Sequence, residues 1–144
     1  MEEKDYWIHC GVMDAFCEII AARVKKLALS HPLNSKEELE ELVPYATKLC
    51  AKYGIHLYKE EQLLITDLFP YSMNKGKCNI LFYKEESVLT AYLKLKERKQ
   101  NAIESGTYDE ERIPIALAFG ELLSYEKNSC LKKIQMNTEK EDFT

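Results

Sequence analysis

Glycine and proline are scarce in this chain, five and four in 144 residues. Long flexible linkers and low-complexity tracts depend on such residues, so neither is expected. Long apolar runs are also missing: none approaches the roughly 18–20 residues that cross a bilayer. The opening Met1-Glu2-Glu3-Lys4-Asp5 has neither the basic n-region nor the apolar h-region of a signal peptide. A cytoplasmic protein without membrane contact is the expectation. Basic charge is short too. Twenty Lys and Arg face 24 Asp and Glu, a net charge of −4, and an acidic chain lacks the surface that neutralises phosphates, which counts against general nucleic-acid binding. No C-x-x-C, Gly-rich phosphate loop, G-x-S-x-G or H-E-x-x-H occurs, so an ordinary hydrolase or nucleotide enzyme is not indicated. The cysteines are odd in number and irregularly spaced, at Cys10, Cys17, Cys50, Cys78 and Cys130. Free thiols in a reducing compartment fit that spacing better than a disulfide framework.

What is present is the ordinary balance of a globular chain, 46% hydrophobic and 31% charged residues. The strongest patterning runs from Lys77 to Cys130. A strand at Asn79–Tyr83 leads to a helix over roughly 85–104, then a Ser105-Gly106-Thr107 break, then a second helix reaching Tyr125. Val88, Tyr92, Leu95 and Ile103 line one side of the 85–104 helix, widened by Leu89 and Leu93. Asp109-Glu110-Glu111 place negative charge where a helix start favours it. Ile113 to Leu123 is apolar on nearly every side, which predicts a central, buried helix with Pro114 in its first turn. A short helix over 127–136 follows.

Upstream, Val12, Phe16, Ile19, Ile20, Val24 and Leu27 recur at helical spacing, predicting a helix over 12–29 that ends before His31-Pro32. Ser35-Lys36-Glu37-Glu38 is a capping box for the next helix. That helix buries Leu39, Leu42, Val43, Ala46, Leu49, Cys50 and Tyr53, and stops at Gly54. Pro44 should kink or split it. Ile55–Tyr58 reads as a short strand. Leu63–Phe69 fits a buried strand or a helical turn, and the loop from Tyr71 to Lys77 leads into the strand at 79–83 as a hairpin. The chain is thus expected to be a single α+β domain over residues 1–136, with four or five helices packed on a sheet of two or three short strands. Residues 137–144 read as a disordered tail.

His9, Cys10 and Cys17 form a candidate metal cluster, since on a helix the two thiols lie seven apart on one face. Structural zinc sites usually pair their ligands more closely, so small buried cysteines are the plainer account. Cys78 follows Lys77 with Lys75 nearby, and a cation beside a thiol can activate it; Cys78 and Cys130, with His56, are the catalytic candidates, against packing as the plain account. The pairs Glu60-Glu61, Glu85-Glu86 and Glu110-Glu111 point to different sides and read as solvated charges. Lys94, Lys96, Arg98 and Lys99 make a basic face on the 85–104 helix that could hold RNA or phosphate, with Tyr92 or Tyr108 to stack on, but Glu97 and Glu104 interleave. Nine tyrosines stand mostly at element ends, as core edges or a protein contact surface use them.

The order Leu81-Phe82-Tyr83, charged helix, Asp-containing break, then Phe119-Gly120-Glu121-Leu122-Leu123-Ser124-Tyr125 and Cys130 resembles the uncharacterised, mainly archaeal domain-of-unknown-function family 483. That family's pattern carries Leu-Leu-Gly-Tyr-Pro followed by close cysteines. Here Ser124 replaces the glycine, Glu126 the proline, and Cys130 stands without a second cysteine. The resemblance covers the C-terminal half, implies an archaeal cytoplasmic protein of unassigned activity, and transfers no catalytic residue.

Three functional expectations follow. The first is a non-catalytic interaction or regulatory module, a homodimer or the binder of an unidentified protein, with no cofactor. The second is a cysteine- or metal-dependent enzyme using Cys78 or Cys130 with a histidine. The third is RNA or phosphate binding by the basic face of the 85–104 helix.

Overall fold

The computed structural model describes residues 1–143. The chain is α+β, with six helices and one three-stranded antiparallel sheet among the described residues. The expectation of one domain over 1–136 meets a chain that divides into two compact units, 1–63 with 76–86, and 64–75 with 87–144.

The first unit begins with α1 (Glu3–Ala21), followed by β1 (Leu27–Leu29) and α2 (Lys36–Tyr53). The helix expected over 12–29 therefore starts nine residues earlier and stops eight earlier. Its end is a left-handed turn at Arg23 (φ 63°), with the Arg23 and Val24 amides donating back to the carbonyls of Ile20 and Ile19. That turn usually carries glycine. With arginine there, nothing in the local sequence marks the stop.

Helix α2 follows its sequence grammar closely. The Ser35 hydroxyl accepts from the Glu38 amide at 3.2 Å, and the Glu38 carboxylate accepts from the Asn34 amide at 2.9 Å, one residue beyond the expected reach. Gly54 closes the helix at φ 67°. Pro44 sits inside one continuous helix and does not split it.

Strand β2 (His56–Glu60) pairs antiparallel with β3 (Asn79–Tyr83), His56 opposite Tyr83 and Glu60 opposite Asn79. Strand β1 pairs on the other edge of β3, Leu27 opposite Tyr83. The order is β1-β3-β2, and β3 is buried along its whole length, which explains an unbroken apolar run there. Ala28, Ile80 and Phe82 join Cys10, Met13, Cys17 and Ile20 of α1 and Leu39, Leu42, Ala46 and Leu49 of α2 in one core. The hairpin expected between Leu63–Phe69 and 79–83 does not form: Leu63–Phe69 is neither strand nor helix, and β3 pairs instead with β2, through a connection that includes α3 (Tyr71–Asn74).

The second unit contains α3, α4 (Glu86–Glu104, all but its first residue), α5 (Tyr108–Leu122) and α6 (Lys127–Met136). Val88, Tyr92, Leu95 and Ala102 are the buried side of α4. On α5 the buried residues are Tyr108, Ile115, Ala116, Phe119 and Gly120, whereas Ile113 is half exposed. The helix is thus one-sided, contrary to the expectation of burial all round. Pro114 lies in its second turn on the exposed side; a proline there leaves the Glu110 carbonyl without its helical donor, where water can serve it. Residues 137–143 are not the disordered tail expected. The Asn137 side-chain nitrogen donates to the carbonyls of Asp67 and Phe69 at 3.0 and 3.1 Å, and the Tyr71 backbone amide donates to the Glu139 carbonyl at 2.8 Å. Thr144 lies outside the described residues. No helix is long and apolar enough to cross a membrane among the described residues.

Candidate interaction surface

The cysteines come first, because the enzyme expectation depends on them. Cys10 and Cys17 turn into the core of the first unit from α1, 1% and 0% exposed. Burial pushes the Cys10 thiol up, and the Cys17 thiol up to about 12. Cys50 is pushed up to about 11 by the same cause. The Cys78 thiol donates to the Glu61 carbonyl at 3.7 Å and is raised by burial first and by Glu61 next, so Lys77 does not activate it. Cys130, in the second unit, is buried on α6 and likewise raised. A nucleophilic cysteine needs the opposite shift. His56 is exposed on β2 and packs its ring 5.6 Å from that of Tyr83.

His9 does not join the cysteines; it lies about 100° round α1 from Cys10. Its ring lies 6.1 Å from that of His31, beside a cavity of about 660 Å³ lined by Met1, Glu2, Asp5, His9, Pro32, Asn34 and Glu38. Burial, and then His31, lower its pKa, while Glu38 and Asp5 act against them. Among the described residues no group of three or more His, Cys, Asp or Glu is placed to hold a metal ion.

The basic run on α4 is partly spent on internal partners. Arg98 pairs with Glu111 at 2.7 Å, Lys99 with Glu141 at 2.7 Å, and the Lys96 ammonium lies 5.9 Å from the Tyr92 ring centre. Stacking on Tyr92 or Tyr108 would require rings that are instead buried.

The surface that stands out is the side of α1 turned away from its core. Residues on a helix advance about 100° each, so Lys4, Trp7, Ile8, Gly11, Ala15 and Glu18 share one stripe. All six are exposed, Trp7 by 57% and Ile8 by 49%. Two large apolar side chains thus stand beside two positions with almost no side chain. The space over Gly11 is open, with nothing within 4 Å of where a Cβ would be. Small residues let a second backbone come close, and an exposed tryptophan is the residue type most enriched at energetic hot spots. Nothing in the periodicity of the sequence revealed this stripe, because the helix was expected to start at residue 12, downstream of Trp7. The exposed positions Lys4 and Glu18 end the stripe with unlike charges.

Comparison of the chain with protein families, with characterised proteins and with solved structures finds no match.

Proposed function

We propose that the protein is a non-catalytic interaction module that works as a homodimer, paired through the outward stripe of α1. The observation that carries this reading is the self-complementarity of that stripe about Gly11. A two-fold axis through Gly11 with antiparallel helices sets Gly11 against Gly11, Trp7 of each copy over Ala15 of the other, and Lys4 opposite Glu18. Isologous pairing of this kind is the commonest form of protein association. A parallel arrangement would set like charges together. One helix of about 28 Å offers less area than the ~800 Å² per partner of a standard interface, so the dimer is expected to be reversible. The raised thiols support the same reading, since they are packed as small apolar groups.

Sedimentation velocity over a micromolar concentration range tests it. The expected result is a monomer–dimer equilibrium that Gly11→Gln shifts to monomer, because the new side chain fills the space a second helix needs. Lys4→Glu should weaken association, and Lys4→Glu combined with Glu18→Lys should restore it. A chain that stays monomeric throughout, or dimers indifferent to all three variants, would sink the proposal.

A further inference from the structure

The second unit holds a cluster of charge that the α1 stripe does not explain. Asp67 is 2% exposed and takes both arms of Arg112, Nε at 3.1 Å and a terminal nitrogen at 3.2 Å. The Arg112 guanidinium carbon stands 5.0 Å from the centre of the Tyr108 ring, and the Lys99 ammonium lies 5.6 Å from the same ring. Lys99 also donates to the Ile65 carbonyl at 2.8 Å. Two cations therefore converge on one buried tyrosine, one of them anchored by a buried carboxylate. Asp67 and, at 3.4 Å, the exposed Asp109 both pair with Arg112, which leaves the charge of Lys99 to be met from elsewhere.

The chain's last described residues complete the set. Glu141 places its carboxylate 2.7 Å from Lys99, with both side chains largely shielded, and its carbonyl accepts from Arg112. Two residues on, Phe143 sets its ring edge-on to Tyr108 at 5.4 Å and 88°, with the Lys99 ammonium 5.9 Å from its centre. Lys99 is thus flanked by two aromatic rings and capped by a carboxylate. Phe143 itself remains 50% exposed. Beside it is a cavity of about 200 Å³ lined by Ile103, Gly106, Tyr108, Asp109 and Phe143, and the buried Tyr108 hydroxyl has no hydrogen-bond partner.

The hold on this segment is uneven along its length. Asn137 and Glu139 are pinned: the Asn137 side-chain nitrogen donates to two carbonyls, its side-chain oxygen accepts from the Glu139 amide at 2.8 Å, and the Glu139 carboxylate accepts from Ser72 at 2.7 Å. Beyond them the contacts of Glu141 and Phe143 are those of a glutamate and an aromatic ring in a site made by other parts of the chain.

We propose that Lys99 and Arg112, backed by Asp67 and Tyr108, form a binding site for an acidic peptide segment bearing an aromatic residue two positions after a glutamate, and that Glu141 and Phe143 occupy it as an internal competitor. Recognition of acidic motifs by paired cations, with aromatic rings flanking the ammonium, is a known way of reading such peptides. The anchor at Asn137–Glu139 keeps the tip at an effective concentration of about millimolar, so a second copy's identical tip competes poorly. A partner segment must either bind more tightly or find the tip released. The site lies in the second unit and does not depend on α1.

The test uses the full chain and a fluorescent peptide of the sequence Thr-Glu-Lys-Glu-Asp-Phe-Thr, followed by anisotropy. Wild-type protein should bind it weakly. Glu141→Gln with Phe143→Ala should bind it roughly tenfold tighter or more, because the competent state is no longer self-occupied. Adding Lys99→Gln should abolish the gain. Glu141→Gln alone keeps the shape of the tail and guards against a folding artefact; it should show an intermediate gain. Equal binding by wild type and the opened variants would overturn the proposal. So would equal binding of a peptide with its glutamates changed to glutamine. Complete displacement of the peptide by millimolar inorganic phosphate would also overturn it, leaving a generic anion site.

Discussion

At Gly120 a single hydrogen atom decides how α5 meets α6. A Cβ built there falls well inside contact distance of the Cys130 sulfur, and lies 3.7 Å from a Leu68 methyl. Cys130, a candidate nucleophile when read from the sequence, is the residue that fills the space glycine leaves. Gly120→Ala is therefore expected to destabilise the protein by about 1–3 kcal/mol through overpacking. In a Cys130→Ala background the sulfur is gone and the remaining Cβ lies 3.5 Å away, an ordinary contact. There the same change should be neutral or stabilising, since alanine gains about 1 kcal/mol over glycine within a helix. A double-mutant cycle by chemical denaturation measures the coupling, and additive effects would contradict the packing account. The cysteine was visible in the sequence; its partner ten residues away was not, because a helix–helix contact carries no local mark. A few residues on, Ser124 adopts φ 63°. Glycine would take that conformation without strain.

Elements were legible wherever their ends were chemically marked. Helix α2 has a serine that caps it and a glycine that stops it, and both act as those residue types act elsewhere. Ser35→Ala should lower stability by about 1 kcal/mol, measured as a shift in urea midpoint with an unchanged slope, because the Glu38 amide loses its acceptor. Ser35→Asp should retain most of it. Where ends were unmarked, the reading drifted. Helix α1 starts without a side-chain cap and finishes on a left-handed arginine, so its apolar spacing was carried on into β1. That slip hid Trp7, Ile8 and Gly11, the residues on which the proposed dimer rests. On α5, a composition apolar on every side suggested full burial, yet Ile113 stays half exposed. Composition reports how apolar a helix is, not which way it faces.

At the scale of the whole chain, the interactions that matter most join distant residues. Asp67 and Arg112 are paired across 45 positions and Asn137 reaches Asp67 across 70; neither pairing leaves a trace in local periodicity, which is why the tail read as disordered. The same distance from the sequence applies to ionisation, where burial rather than residue type sets behaviour. In the first unit, Cys17 and Cys50 are pushed up to about 12 and 11 by burial. Tyr53, which donates to Asp14 at 2.5 Å, is raised to about 12 chiefly by that bond. Each is an acid with a folded pKa above its unfolded one. Each contributes stability that is complete below the unfolded pKa, near 9 for the thiols and 10 for the phenol, and is lost as pH rises toward the folded value. Lys25 acts in the opposite sense. Burial lowers it to about 8 from 10.5, so between those values the folded state holds fewer protons and stability rises with pH. The two thiols outweigh one lysine from about pH 9, and the opposition of the lysine fades as pH passes through its unfolded value of 10.5. Stability should therefore decline gently from pH 9 and steeply beyond 10.5. Thermal unfolding followed by circular dichroism across pH 8–11.5 checks this, and Cys17→Ala should flatten the upper part of the curve. A profile that keeps rising from pH 9 to about 10 would mean that the thiols ionise as readily in the folded chain as in the unfolded one and leave the lysine unopposed.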